Sequence, residues 1–304
     1  MNDRTNETPD VASWATVCQN CGAALDGRFC ARCGQRAIPP RPTVRELAGD
    51  AWNEFVGWDG KLLRTIRLLV LHPGELTRAA IEGRRARYVS PVRLYLACSI
   101  VYFLAASAVP IPDAAVGFDV GVGIGAPNRT PENAALAKAI NRGFDSLSPE
   151  ERAAVEAEIA AQPAVLRPLL HNVARDYQGV RRRIAESFPR ALFVLVPVLA
   201  IVFGLFYRRR HYPEHLYVAL HLQTFVFVVL TLAAVCEYTR SVVVIAAATV
   251  VAVLVIVSHA VVAQRRVYAE SWPKTIVKAV CVAALYGALW GTTSFGVALW
   301  ATRD

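Results

Sequence analysis

Five apolar stretches in the last two thirds of the sequence constrain the fold more than any other feature. They cover residues 94–109, 191–207, 216–236, 242–263 and 276–301. A helix needs about 20 predominantly apolar residues to cross a bilayer; the last three stretches reach that length, and the first two are short or interrupted. Hydrophobic residues make up 55% of the 304 residues and charged residues 19%, which is too apolar for an ordinary soluble protein. We therefore expect a mainly α-helical, polytopic membrane domain over 92–304 with about five spans.

The positions of lysine and arginine predict which way this domain faces. Residues 1–40 contain no apolar run that could be a signal-peptide core, so the N-terminus is expected in the cytoplasm. Most basic residues then flank the spans on the cytoplasmic side, which predicts a multi-pass protein of the cytoplasmic membrane with its C-terminus outside. Six of them are candidates to contact anionic lipid headgroups: Arg84, Arg85, Arg87, Arg208, Arg209 and Arg210. Contact between these basic residues and the membrane surface would explain the net charge of +9, and nucleic acid is not the expected partner.

Residues 111–190 are expected to form a helical loop on the opposite, extracytoplasmic side. Four arginines in this loop, at 181–183 and 190, run against the charge rule. The loop as a whole balances ten basic and ten acidic residues, and long loops translocate largely regardless of charge. The sequence Ser148-Pro-Glu-Glu151 predicts a helix start with a capping box, and a second helix is expected over 165–186.

Four cysteines near the N-terminus predict a metal site. Cys18 and Cys21 form one C-x-x-C-G turn, and Cys30 and Cys33 form a second one eight residues later. Two such turns can aim four thiolates at one tetrahedral ion, which predicts a structural zinc ribbon over residues 18–37. Iron in a rubredoxin-like site and disulfides are the alternatives, the latter disfavoured in a reducing cytoplasm. Four protein ligands leave no open position for a substrate, so the metal is expected to hold the fold.

The segments around the ribbon divide the rest of the N-terminal region. Residues 1–17 are expected to be a disordered tail, and 38–91 a proline-rich linker followed by amphipathic helices, the first starting at a capping box over 43–46. Residues 61–71 place apolar side chains against the basic stripe of Lys61, Arg64 and Arg67. That pattern fits a helix in the membrane interface and fits equally a helix packed on its neighbours.

The order of these motifs resembles a known arrangement. The cysteine turns C-x2-CG and FC-x2-CGQ are followed by DGKLLRTIRLLVLHPGELT and GRRARYVSPVRLYL, within residues 18–105. The chain thus resembles an uncharacterised bacterial family, a domain of unknown function, in which an N-terminal four-cysteine zinc ribbon precedes a multi-spanning membrane region. The resemblance implies this architecture and a bacterial inner membrane, and it implies no activity.

Polar residues inside or beside the spans are candidates for a second site. Glu214, His215 and His221 belong to the third apolar stretch and the turn before it, and His259 lies near the same end of the fourth. Ionisable groups in spans are energetically expensive and often functional. They could form a metal or proton site, or they could be histidines that hydrogen-bond between helices. No H-E-x-x-H motif supports a zinc protease.

The sequence leaves three classes of function open. The first is a membrane-anchored interaction, scaffolding or regulatory protein whose ribbon binds an unknown cytoplasmic protein. The second is a small transporter or channel that uses the His/Glu residues of spans three and four, and the third an intramembrane enzyme acting on lipid. No catalytic constellation is recognisable, which argues against the enzyme. A G-x-x-x-G over 287–291 is compatible with a homo-oligomer and equally with packing inside one chain.

Overall fold

The computed structural model describes residues 16–27, 29–35, 61–108, 134–164, 166–239 and 241–300. The expected N-terminal tail up to residue 15 and the expected capping box at 43–46 lie outside these residues. The described residues are mainly helical, and Val17 and Ala24 form an isolated antiparallel bridge in the non-helical segment around the N-terminal cysteines. Its helices are α1 (Lys61–Leu71), α2 (Glu75–Ile81), α3 (Pro91–Ala108), α4 (Ala134–Arg142), α5 (Pro149–Ala160), α6 (Arg167–Arg175), α7 (Tyr177–Phe206), α8 (Tyr212–Glu237), α9 (Val242–Tyr268) and α10 (Trp272–Trp300).

Within the described residues, all five predicted apolar stretches lie in helices apart from Tyr207 at the end of the second, and three of these helices are long and apolar enough to cross a membrane. These are α8, α9 and the part of α10 over Trp272–Val297. The other two apolar segments are shorter: Pro91–Ala106 in α3 and Leu192–Phe206 in α7. The described residues thus form a helical protein with three candidate membrane-spanning helices.

Helix α8 is the centre of the membrane bundle. It packs against α3, α7 and α9, and α7 also contacts α10. An aromatic cluster of Tyr95, Tyr102 and Phe227 fills the contact between α3 and α8, with ring centroids 5.3 to 5.6 Å from Phe227. Helices α9 and α10 instead expose long apolar faces, for example Val243 at 78%. Exposed apolar surface of this extent is what a lipid-facing helix presents.

Helices α4 to α6 form a small second core at one end of the bundle, which we call the loop side. Val155 and Ile159 of α5 and Ala139 of α4 are buried there. The predicted capping box is confirmed, since Ser148 Oγ accepts a bond from the Glu151 N–H (3.2 Å) and Glu151 Oε2 accepts one from the Ser148 N–H (3.0 Å). The opposite end, where α3 and α8 begin, is the ribbon side.

The helix predicted over 165–186 differs from the observed one. The chain leaves helical geometry at Asp176 (φ −140°, ψ 68°), whose carboxylate accepts a bond from the Gly179 N–H at 2.8 Å. This N-cap starts α7 at Tyr177, and α7 then continues for 30 residues to Phe206. The arginines at 181–183 and 190 therefore lie on the same helix as the second apolar stretch.

Helices α1 and α2 form a hairpin closed by His72, Pro73 and Gly74. Gly74 has a φ of +79°, and a Cβ placed on it would lie 2.9 Å from the carbonyl oxygen of Ala263 in α9. Both the left-handed backbone and the close approach therefore require glycine here. The turn seats the hairpin directly against a candidate span.

Candidate metal centre

The four cysteines come together in the arrangement that their spacing predicts. Sγ of Cys18 lies 3.6 Å from Sγ of Cys33, and Sγ of Cys21 lies 3.6 Å from Sγ of Cys30. All four sulfurs lie within 4.8 Å of one another, and the cysteines are free of disulfides. Zn–S bonds of about 2.3 Å in a tetrahedron place sulfurs about 3.8 Å apart. Four cysteines this close could hold one metal ion.

Two equivalent backbone turns build this cluster. Gly22 and Gly34 follow the second cysteine of each turn with φ of 73° and 71°, and their N–H groups donate to the carbonyls of Cys18 (2.9 Å) and Cys30 (2.8 Å). Cys18 and Cys30 are buried, whereas Cys21 and Cys33 are half-buried. The backbone N–H of Gln35 and the side chain of Asn20 lower the pKa of Cys33 to about 6, whereas, against a backbone bond from Ala23, burial and the three neighbouring thiols raise the pKa of Cys21 to about 11.

The Gln35 side chain connects the cluster to residues 83–86, which precede α3. Gln35 follows the second turn, and its Nε2 donates to the Gly83 carbonyl at 2.7 Å. Its Oε1 accepts bonds from the N–H groups of Arg85 (3.2 Å) and Ala86 (3.0 Å). We call residues 16–35 the ribbon and residues 82–90 the hinge. Gln35 fixes the ribbon on the hinge through three hydrogen bonds.

Two of the three hinge arginines that were candidates for the membrane surface, Arg84 and Arg85, are paired within the protein. Arg84 pairs with Glu82 at 2.6 Å and with Glu75 at 3.7 Å. Arg85 donates to the hydroxyl of Tyr217 in α8 at 2.8 Å, which connects the hinge to the bundle. Arg87 is exposed and lines an open cleft beside the cysteines together with Asn20 and Arg32.

The second group of candidate arginines lies in the turn between α7 and α8. Arg208 and Arg209 are exposed, whereas Arg210 pairs with Glu214 at 3.1 Å. His211 is the N-cap of α8 and approaches the other oxygen of Glu214 at 3.6 Å. Glu214 thus holds the turn that begins α8.

The three candidate histidines are buried, and each has a different partner. His215 Nδ1 bonds the Tyr268 hydroxyl at 2.8 Å, and His221 Nδ1 bonds Thr77 Oγ1 in α2 at 2.9 Å. The two histidines are six positions apart on α8, which is not a whole number of turns, so their side chains point in different directions. Within the described residues, the four cysteines are the one group of three or more metal-ligating side chains close enough to share an ion.

His259 makes a bond that the local sequence explains. Its Nε2 donates to the Leu69 carbonyl of α1 at 2.9 Å, and its ring stacks on Phe225 at 3.6 Å. In a helix that carbonyl would accept the N–H of residue 73, which is a proline and has none. His259 supplies the missing donor and so joins α1 to α9.

Sequence reasoning did not find several residues on which this arrangement depends. Thr77, Tyr217 and Tyr268 contact their partners across 144, 132 and 53 positions of sequence, and no periodic pattern marks such pairs. Two local signals were present: Gln35 directly follows the second cysteine turn, and Pro73 lies four residues after Leu69.

The comparisons with known proteins fall on the segment between the ribbon and the bundle. Residues 59–103 match the model of a family described as a protein of unknown function, DUF3667. The match covers α1, α2, the hinge and most of α3, and the four cysteines of the ribbon lie outside it. Comparisons with curated proteins and with solved structures gave no match. The matched segment contains the groups that bond His221, His259, Tyr217 and Gln35, so it is the part that joins the other elements.

Proposed function

We propose that this chain is a membrane-anchored interaction protein, of scaffolding or regulatory type, whose ribbon is folded by one structural zinc ion. The four-cysteine cluster supports the proposal because it offers a complete ligand set, at suitable distances, with no open coordination position. The metal would be held by Cys18, Cys21, Cys30 and Cys33, and it would supply most of the folding free energy of a ribbon this small.

The proposal places the protein in a bacterial inner membrane with five spans, its ribbon in the cytoplasm and its C-terminus outside. Exposed basic residues on the ribbon side, such as Arg208, Arg209 and Arg266, support this orientation. α3 and the apolar part of α7 are shorter than typical spans. Both pack on α8 or α10, so they would cross beside longer helices.

The contacts through Gln35 support the part of the proposal that concerns binding of a partner. A metal site that only stabilised a free domain would need no fixed connection to the bundle. Here Gln35 bonds the hinge, and Arg85 of the hinge bonds Tyr217 of α8. A partner bound to the ribbon would therefore act on a domain held in a defined position above the membrane helices. We propose an unknown cytoplasmic protein as that partner.

Site-specific photocrosslinking in living cells tests the proposal. A benzoylphenylalanine in place of Phe29, which is 63% exposed on the ribbon, should give a discrete protein adduct. The same residue in place of Tyr238, 54% exposed on the loop side, is the matched control. The adduct should disappear when Cys18 and Cys30 are replaced by serine. No adduct from position 29, or an adduct unaffected by loss of the cysteines, would contradict the proposal.

A further inference from the structure

Helix α1 has one face in the protein and one face exposed. Thr65 and Leu69 point inward and are 0% and 3% exposed, and Thr65 Oγ1 accepts a bond from the Val89 N–H at 3.1 Å. On the outward side Leu63 is 76% exposed and Val70 is 37% exposed. Leu63 and Val70 are seven positions apart, which is about two turns, and therefore share one side of the helix. The protein leaves this apolar strip uncovered within its described residues.

The contacts of α1 with α9 show where the end of α1 lies along the length of that candidate span. The Leu69 carbonyl is bonded by His259, six residues before Arg265, and α9 has no charged residue between Val242 and Gln264. At about 1.5 Å per residue, the end of α1 lies about 9 Å on the apolar side of Arg265. Gly74, which follows α1, contacts Ala263 in the same part of α9. The hairpin thus lies where the apolar part of α9 ends.

The exposed side of α1 is also basic. Arg64 and Arg67 are both exposed, and in the described part of the chain neither has an ion-pair partner. The nearby carboxylates of Glu75 and Glu82 are already paired with Arg78 and Arg84. Arginines beside an apolar strip suit a headgroup phosphate above an acyl chain. A soluble protein partner would not explain why the Val70 end of the strip lies level with the end of the apolar part of α9.

We propose that α1 is a lipid-binding helix in the ribbon-side membrane interface. Leu63 and Val70 insert among the acyl chains, and Arg64 and Arg67 bind the phosphates of anionic phospholipids. This inference rests on the membrane placement proposed above and is independent of any partner of the ribbon. It assigns an anionic-lipid site to the segment that matches the DUF3667 model.

Photocrosslinking of the purified full chain in nanodiscs tests the proposal. The discs contain phosphatidylcholine and phosphatidylglycerol in equal amounts, and benzoylphenylalanine replaces Leu63. We expect phospholipid adducts, identified by mass, that are enriched in phosphatidylglycerol. Benzoylphenylalanine at Val17, 52% exposed on the ribbon, should give none. Absence of lipid adducts from position 63, or an adduct with a second copy of the chain, would overturn the proposal.

The arginines are tested in the same assay. A basic residue near an anionic surface raises local affinity about fivefold, so the pair Arg64→Gln and Arg67→Gln should abolish most of the phosphatidylglycerol enrichment. The matched pair Arg208→Gln and Arg209→Gln removes two exposed charges from the turn between α7 and α8 and leaves α1 unchanged. Equal loss of enrichment in both pairs would show a general surface charge and overturn the site. The Phe29 adduct in cells reports separately on the ribbon's partner.

Discussion

At the scale of single residues, Gln35 takes part in both the second cysteine turn and the contact between the ribbon and the hinge. Its backbone carbonyl accepts the Cys30 N–H at 2.9 Å, inside the second cysteine turn, while its side chain makes three bonds to the hinge. The two roles are separable, because a substitution removes the side-chain bonds and leaves the carbonyl in place.

Replacing Gln35 with leucine should release the ribbon from the hinge without removing the metal. The amides of Arg85 and Ala86 lose their acceptor, and we expect them to exchange with solvent about tenfold faster, as expected for one lost hydrogen bond. Hydrogen–deuterium exchange of the hinge peptide measures this. Arg32→Gln, on the same ribbon and without a hydrogen bond in the described residues, is the control. Unchanged hinge exchange, or lost metal in the leucine variant, would contradict this account.

His259 acts through a carbonyl that Pro73 leaves without its usual donor. The variant His259→Phe keeps a ring to stack on Phe225 but has no N–H group. We expect it to lower the free energy of unfolding by about 1–3 kcal/mol, the cost of a buried unpaired polar group. Thermal unfolding in detergent, followed by tryptophan fluorescence, measures the change.

A second substitution isolates the hydrogen bond from other effects of the phenylalanine. Adding Pro73→Ala to His259→Phe supplies a backbone N–H that can bond the Leu69 carbonyl, so part of the lost stability should return. Pro73→Ala alone gives the baseline, because proline also restricts the unfolded chain. If the two substitutions combine additively, His259 does not replace the proline's missing donor.

At the scale of elements, the turn between α1 and α2 determines how the hairpin meets α9. Gly74→Ala adds a Cβ where the backbone is left-handed and where the Ala263 oxygen lies 2.9 Å away. The left-handed backbone alone accounts for about 1–2 kcal/mol of the loss. We expect the variant to lose clearly more stability than this, and a loss of no more than about 2 kcal/mol in the same thermal assay would refute the close contact.

The sequence predicted elements with strong local signals. The apolar stretches lie in helices, the Ser148 capping box is confirmed, and the cysteine spacing brings four sulfurs together. The sequence did not predict the helix end that the Asp176 side chain creates. Its carboxylate caps a new helix and so divides the helix expected over 165–186. Tertiary pairs such as Thr77 with His221 depend on how helices pack and leave no local pattern.

Of the two interpretations of α1 from the sequence, the structure shows the helix packed on its neighbours, and the interfacial helix stays a proposal. Its Leu69 face is buried on the bundle, and its Leu63 face is exposed. Amphipathicity alone could not separate a core helix from an interfacial one, because each requires an apolar stripe. The deciding information is that α1 carries apolar residues on two sides, one of which meets α8 and α9.

At the scale of the whole molecule, polar connections run from the cysteine cluster into the bundle. Gln35 joins the ribbon to the hinge, Arg85 joins the hinge to α8, and His259 joins α1 to α9. All of these lie on the ribbon side, whereas α4 to α6 form their own core on the loop side. A metal-dependent fold in the ribbon would therefore influence the hinge before any other part of the membrane domain.

The metal content of the purified full-length chain tests this account most directly. Elemental mass spectrometry of the protein in detergent should find one zinc ion per chain, and none when Cys18, Cys21, Cys30 and Cys33 are all replaced by serine. A matched variant with Cys98, Cys236 and Cys281 replaced should keep its zinc. Wild-type protein without stoichiometric zinc, or zinc that persists in the quadruple variant, would contradict a structural zinc ribbon.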